Sequence, residues 1–222
     1  MISILMPIYN GIEFIDESVE SIISQTYKQW ELIIGINGHP ENSDTYKIAK
    51  NLENIDNRIK VYDLFMIKGK STALNKMLEY CSYNYIALLD VDDIWEINKL
   101  EIETTLLGKY DILGTKCVYF GDDNKAGIVP PIPIGDITEY NIVKGNPIIN
   151  SSCLIKKELC YWNKDFDGVE DYDLWIRLWK SNKTFYNFND ILVKHRIHKS
   201  SAFNAQGNDL KVHELLKYHS SK

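Results

Sequence analysis

The sequence predicts a single α/β domain with a mostly parallel central sheet, flanked by helices and completed by a small mixed β region. Three observations carry this expectation. Short, continuous apolar runs alternate with amphipathic segments through residues 1–93, the pattern of buried strands joined by helices. The chain has 222 residues, 45% of them apolar, enough for one core of ordinary size. Beyond Asp93 the alternation gives way to mixed signals without an internal repeat.

The elements follow in order. ISILMPI (2–8) reads as a buried strand. NGIEFIDESVESIISQ (10–25) sets Ile12, Ile15, Val19 and Ile22 at helical spacing. WELIIGI (30–36) is a second strand, broken by Gly38-His39-Pro40. SDTYKIAKNL (43–52) reads as a helix and RIKVYDL (58–64) as a third strand. In STALNKMLEYC (71–81), Leu74, Met77, Leu78 and Cys81 form a helical stripe, and YNYIALLD (83–90) is a fourth strand. Such β-α-β-α-β-α-β order predicts parallel strands with crossover helices.

IWEINKLEIETTLL (94–107) reads as a helix, followed by short strands near 110–120 and a hairpin turn at GDDNKAG (121–127). VPPIPIGD (129–136) cannot be a central strand, because its prolines lack the N–H that a ladder uses. It reads as a loop covering a cleft. NPIINSSCLIKK (146–157) ends as a strand. EDYDLWIRLWKS (170–181) is a helix with Leu174, Trp175, Leu178 and Trp179 on one side. FNDILVKHRIH (188–198) is a late strand, and the polar tail from Ser200 holds one further helix.

A net charge of −6 gives no field that favours nucleic acid. Cys81, Cys117, Cys153 and Cys160 form no C-x-x-C pair and read as reduced thiols. MISILMPIYN lacks the basic start and length of a signal peptide, and no run approaches the roughly 18 apolar residues of a membrane span. These features predict a soluble cytoplasmic protein, with peripheral membrane contact left open. The polar end YHSSK suits either a whole protein or one domain of a longer one.

Open parallel sheets bind ligands at the carboxyl ends of their strands. Those ends carry Pro7-Ile8-Tyr9-Asn10, Ile36-Asn37-Gly38 and Asp90-Val91-Asp92-Asp93, which should converge on one cleft. GKST (69–72) looks like the back half of a phosphate loop, but Leu64 stands where its first glycine belongs. The stretch therefore reads as a helix start, with Ser71 or Thr72 as N-cap and Gly69 in the preceding turn. A helix N-terminus still favours anions, so Lys70 is available to a phosphate ligand.

The D-x-D of Asp90 and Asp92 suits a hard divalent cation whose remaining positions substrate phosphates fill. The same residues would also serve as turn and cap formers. Glu170-Asp171 opens a helix, either complementing its dipole or supplying Asp171 as a carboxylate base that the helix terminus keeps ionised. In KHRIHKSS, His198 is a candidate metal ligand and Arg196 a candidate phosphate partner, against a plain basic strand end.

Taken in order, these stretches resemble family 2 glycosyltransferases of the Rossmann-like GT-A fold. The opening ISILMPIYNGIEFIDESVESIISQTYKQWELII resembles that family's P-x-Y-N, helix, Q-[ST]-Y and W/F-E segment. GKSTALN matches G-x-x-x-A-x-N, YIALLDVDDIW matches hydrophobic-D-x-D-D-x-W, EDYDLWIRL matches E-D-x-x-L-W-x-R-L, and RIHKSS resembles a closing R-x-H-x-x-S. The match spans residues 2–201, and five motifs in order are far more specific than one.

The resemblance implies an inverting, metal-dependent transferase using a nucleotide-diphosphate sugar, a UDP-sugar first, and a glycan or other hydroxyl acceptor. Asp90 would sit near the ribose and metal, beside Val91, and Asp92 would hold Mn2+ or Mg2+ on the diphosphate. His198 would approach the metal, and Asp171 would be the base. Pro7, Tyr9, Asn10 and Glu13 would line the nucleoside pocket, with Asn37 below the base and Lys70 and Asn75 bordering the nucleotide. Residues 1–93 would form the nucleotide-sugar half and 94–222 the acceptor half.

Two departures stand out. Ile36-Asn37 replaces a frequent Asp pair, and Leu74 replaces the usual Arg before Asn75. Two other readings stay open: a magnesium phosphohydrolase or phosphotransferase, and a catalytically weak sugar-nucleotide-binding module.

Overall fold

The structure is a computed structural model describing residues 1–121, 124–198 and 208–221. In chain order its main elements are β1 (Ile2–Ile8), α1 (Ile15–Ile23), β2 (Trp30–Asn37), α2 (Asp44–Lys50), β3 (Ile59–Leu64), α3 (Lys70–Leu78) and β4 (Tyr85–Leu88). There follow β5 (Ile94–Trp95), α4 (Lys99–Thr104), β6 (Ile112–Gly121), β7 (Gly135–Asp136), β8 (Leu154–Lys156), α5 (Glu170–Lys180), β9 (Phe185–Ile197) and α6 (Asn208–Ser220).

The first four strands run parallel in the order β3-β2-β1-β4, as the alternating pattern predicts. β8 lies antiparallel beside β4 and β6, so β6 points the same way as β4. β9 runs parallel to β6 and carries β5 and β7 as short antiparallel partners. The carboxyl ends of β1, β2, β4, β6 and β9 therefore share one edge.

Alternate side chains of the strands feed two cores. Ile2, Ile4, Met6 and Ile8 pack with Val19 and Ile22 of α1 on one face. Leu5 and Ile33 pack with Leu74 and Met77 of α3, Trp175 of α5 and Leu215 of α6 on the other. Full burial of each such side chain contributes about 1.5–3 kcal/mol. Leu74 is wholly buried here, so the position that usually carries Arg serves the core.

Several expectations need correction. The helix expected over 94–107 is split: Ile94 and Trp95 pair with Lys194 and Val193 of β9, and α4 covers only Lys99–Thr104. The cause lies one residue upstream. Buried Asp93 accepts from the N–H of Arg196 (2.8 Å) and from His195 Nδ1 (3.0 Å), fastening the next residues to β9. The short strands near 110–120 form one ten-residue strand, β6. The turn after it closes through bonds from Gly127 to Tyr119 and Tyr119 to Ile128, but the proline run forms no return strand. Asp122 and Asp123 lie outside the described residues, as do Lys199, Ser200 and Ser201 of the closing motif.

Candidate active site

The carboxyl edge forms a cleft with a cavity of about 410 Å³. Tyr9, Asn10, Glu13, His39 and Thr45 line it, from the turns after β1 and β2 and the first turn of α2. The chain turns at Gly11 with φ +89°, and a Cβ there would come within 2.9 Å of Val91 Cγ1. This close approach joins the Tyr9–Glu13 turn to the D-x-D turn. His39 Nε2 donates to the Tyr9 carbonyl. Pro7 pairs with Gly35 within the sheet, and Asn37 is buried at the end of β2. A second cavity, lined by Asn84, Tyr85, Lys156 and Glu158, opens at the amino edge of β4, away from the acid cluster.

The start of α3 borders the acid turn after β4. Gly69 is its N-cap, with φ +86°, and neither Ser71 nor Thr72 caps the helix. Ser71 donates its N–H to Asp167 Oδ1 (2.8 Å), a cap supplied from 96 residues further along the chain. Lys70 Nζ lies 2.7 Å from Asp90 Oδ1 and 3.6 Å from Glu170 Oε1. Burial alone would lower the Lys70 pKa, but those two carboxylates raise it and keep the ammonium charged. Burial likewise works against ionised Asp90, yet Lys70 and a bond from Asn150 (3.0 Å) hold its pKa below the ordinary value.

Asp92 is raised instead, by burial and by the neighbouring Asp93 and Asp90 charges. Its Oδ2 accepts from His198 Nε2 at 3.1 Å. Arg196 donates Nε to the Asp92 carbonyl (2.9 Å), pairs with Glu17 and lies between the Phe14 and Phe120 rings. It braces the turn rather than standing open to a phosphate.

Asp171 begins α5 beside Glu170. Burial and the Glu170 charge raise its pKa to about 6, against the expectation that the helix terminus dominates. Asn146 donates to its Oδ2 at 3.0 Å. Asn75 turns away from the open cleft: its amide donates to the Trp162 carbonyl (2.7 Å) and accepts the Trp162 N–H (3.0 Å).

Among the described residues no group of three His, Cys, Asp or Glu side chains could hold a metal unaided. Asp92 Oδ2 and His198 Nε2 nevertheless face each other at 3.1 Å, an oxygen and a nitrogen between which a divalent cation could sit. Two protein ligands completed by phosphate oxygens suit magnesium or manganese.

The structure thus brings Asp90, Asp92, His198 and Lys70 together and joins them through Glu170 to the helix of Asp171. Tyr9, Asn10 and Glu13 gather at the 410 Å³ cavity after β1. His39, Asn146, Asn150 and Asp167 lie outside the expected set. Their signal was faint: polar residues crowding the apolar run 146–153, and a histidine between Gly38 and Pro40 at a strand end.

Residues 3–154 match the sequence profile of Glycosyl transferase family 2. WfgD of Escherichia coli, a UDP-Glc:alpha-D-GlcNAc-diphosphoundecaprenol beta-1,3-glucosyltransferase, is 32% identical over 213 residues, covering 95% of this chain and 83% of that protein. The E. coli O-antigen biosynthesis glycosyltransferase WbnJ is 30% identical over 230 residues, covering 98% and 87%. Among solved structures, S. aureus TarS in complex with UDP-GlcNAc superposes with a TM-score of 0.78 at 17% identity, over 98% of this chain and 66% of that one. The mannosyltransferase PcManGT from Pyrobaculum calidifontis, in complex with GDP-Man and Mn2+, gives 0.72 at 14% identity, over 99% and 63%. These superpositions establish the GT-A-like fold, and the chain spans about two thirds of each solved chain or less. No described helix is long and apolar enough to cross a membrane.

Proposed function

The chain belongs to glycosyl transferase family 2, and from that premise we propose that it moves a sugar from a UDP-sugar to a hydroxyl of a growing glycan, inverting the anomeric carbon. Residues 1–93 form the donor half and 94–222 the acceptor half. One observation carries this reading: the Lys70 ammonium spans Asp90, after β4, and Glu170, beside Asp171. Donor-side acids and a candidate base therefore border one cleft. WfgD, named for UDP-glucose and a GlcNAc-diphospholipid, supports a UDP-sugar and a lipid-linked glycan as the substrates.

In this mechanism Tyr9, Asn10 and Glu13 enclose the nucleoside, with Pro7 and Val91 shaping the wall. Asn37 lies below the base, where an amide offers both donor and acceptor. Asn75 acts from behind, by fixing Trp162. Asp92 and His198, with Asp90 beside them, would hold a manganese or magnesium ion. When bound, that ion supplies positive charge against the leaving diphosphate.

Asp171 takes the proton of the acceptor hydroxyl. With a pKa of about 6 it is a stronger base than an ordinary aspartate, yet still ionised at neutral pH. Asn146 steadies the carboxylate. A single base facing the acceptor, opposite the leaving group, gives inversion.

A thermal-shift screen of nucleoside diphosphates and their sugars, with and without manganese, tests the donor assignment. UDP-sugars should stabilise the chain most, and only with the metal. Stabilisation by simple phosphomonoesters alone, or by no uridine nucleotide, would reject it.

A further inference from the structure

We infer that residues 126–134 are a membrane-contact rim at the acceptor side of the cleft, seated on the surface of a phospholipid bilayer. The inference rests on the lipid-linked acceptor proposed above. The segment AGIVPPIPI is nine residues without a charge or a polar side chain. Ile128, Val129 and Ile134 are 49%, 38% and 48% exposed, so this one apolar segment presents three large side chains to the surface. Isolated exposed aliphatics are ordinary, but a contiguous exposed run marks an interaction surface.

Two paths of contacts tie this rim to the site. Tyr119, near the carboxyl end of β6, donates its N–H to the Ile128 carbonyl (2.9 Å), and its ring centroid lies 5.7 Å from that of His195, which is bonded to Asp93 of the acid cluster. Fully buried Asn187 donates from one amide nitrogen to the carbonyls of both Pro133 (2.8 Å) and Pro147 (2.9 Å). Asn146, next to Pro147, bonds Asp171. The rim and the candidate base are thus braced by the same short segment.

The chemistry suits a bilayer surface. Three prolines bring no N–H groups that would need partners in an apolar boundary, and they leave few conformations to lose on ordering. The chain's net charge of −6 offers no attraction to anionic lipid, so the contact must be apolar. A glycan carried on a polyprenyl diphosphate would present its acceptor hydroxyl just above the plane that such a rim touches.

Flotation of the full chain with vesicles of phosphatidylethanolamine and phosphatidylglycerol, without nucleotide, tests this directly. The wild-type chain should float with the vesicles and stay bound as salt is raised. An Ile128→Asp/Ile134→Asp variant should lose partition by about tenfold, since binding scales with buried apolar area. Its transfer to a lipid-free acceptor glycan should match wild type. Ile134→Ser alone keeps the comparison valid should the double variant unfold, and is expected to weaken binding in the same direction. Wild-type chain left in the soluble fraction, or variants that float as well as wild type, would overturn the inference. So would vesicle-independent dimerisation that the substitutions abolish, which would make the rim a face between copies. Flotation requires no donor, so a failure of the transferase reading would show separately, as absent transfer to either acceptor form.

Discussion

Lys70 Nζ lies 2.7 Å from Asp90 Oδ1, joining the first turn of α3 to the acid turn after β4. The same ammonium reaches Glu170, which is 4% exposed, at 3.6 Å. It is the charge that joins the turn after β4 to the start of α5.

Replacing that cation should therefore cost both stability and activity. Lys70→Met leaves Asp90 and Glu170 facing each other uncompensated. Urea unfolding should show a loss of about 1–3 kcal/mol, below the full penalty of a deeply buried pair because Lys70 is partly exposed. Sugar transfer should fall with it. A variant as stable and active as wild type would contradict the bridging role.

The raised pKa of Asp171 fixes a pH dependence. Burial and Glu170 push it to about 6, and only the carboxylate accepts a proton. kcat/KM should thus rise with pH through about 6 and level off above about 7, with activity lost on the acid side. A profile flat from about pH 5 to 8 would remove Asp171 from the proton path.

Gly69 should tolerate no side chain. A Cβ there would lie 2.1 Å from Asp167 Oδ2, at φ +86°. Gly69→Ala adds backbone strain and pushes away the carboxylate that caps α3, for a cost of about 2–3 kcal/mol. Asp167→Ala loses the cap alone, about 0.5–2 kcal/mol. Thermal melts should rank them in that order.

Metal removal should act through Asp92 and His198. With UDP at about a hundredfold its Kd, manganese should raise Tm by several degrees, corresponding to about 2.7 kcal/mol. A chelator should erase that part of the shift, and Asp92→Asn or His198→Ala should lack it. An unchanged manganese response in both variants would move the metal elsewhere.

Residues 1–93 were legible because β1, β2 and β4 are buried along nearly their whole length. Their continuous apolar runs and intervening helices announce a parallel sheet. Asp90, Asp92 and Asp171 stood out as acids in ordered motifs at element ends. The rest depended on partners far away in sequence. Ile94 and Trp95 fit a helical spacing, but Asp93 is tied to Arg196 and the segment follows β9. Ser71 looks like an N-cap, yet its N–H is satisfied by Asp167. Local sequence shows the helix dipole at Asp171 but not the burial and the Glu170 charge that outweigh it. Asn146 and Asn150 acquire meaning only when the fold brings them to the two carboxylates.

The most direct measurement is transfer itself, with product configuration read by NMR, for wild type and Asp171→Asn. The account predicts that the anomeric configuration of the donor sugar is inverted. It also predicts that Asp171→Asn lowers kcat by about 10²–10⁴ while UDP-sugar binding is preserved. Near-normal transfer by Asp171→Asn, or a product that retains the donor's configuration, would contradict it.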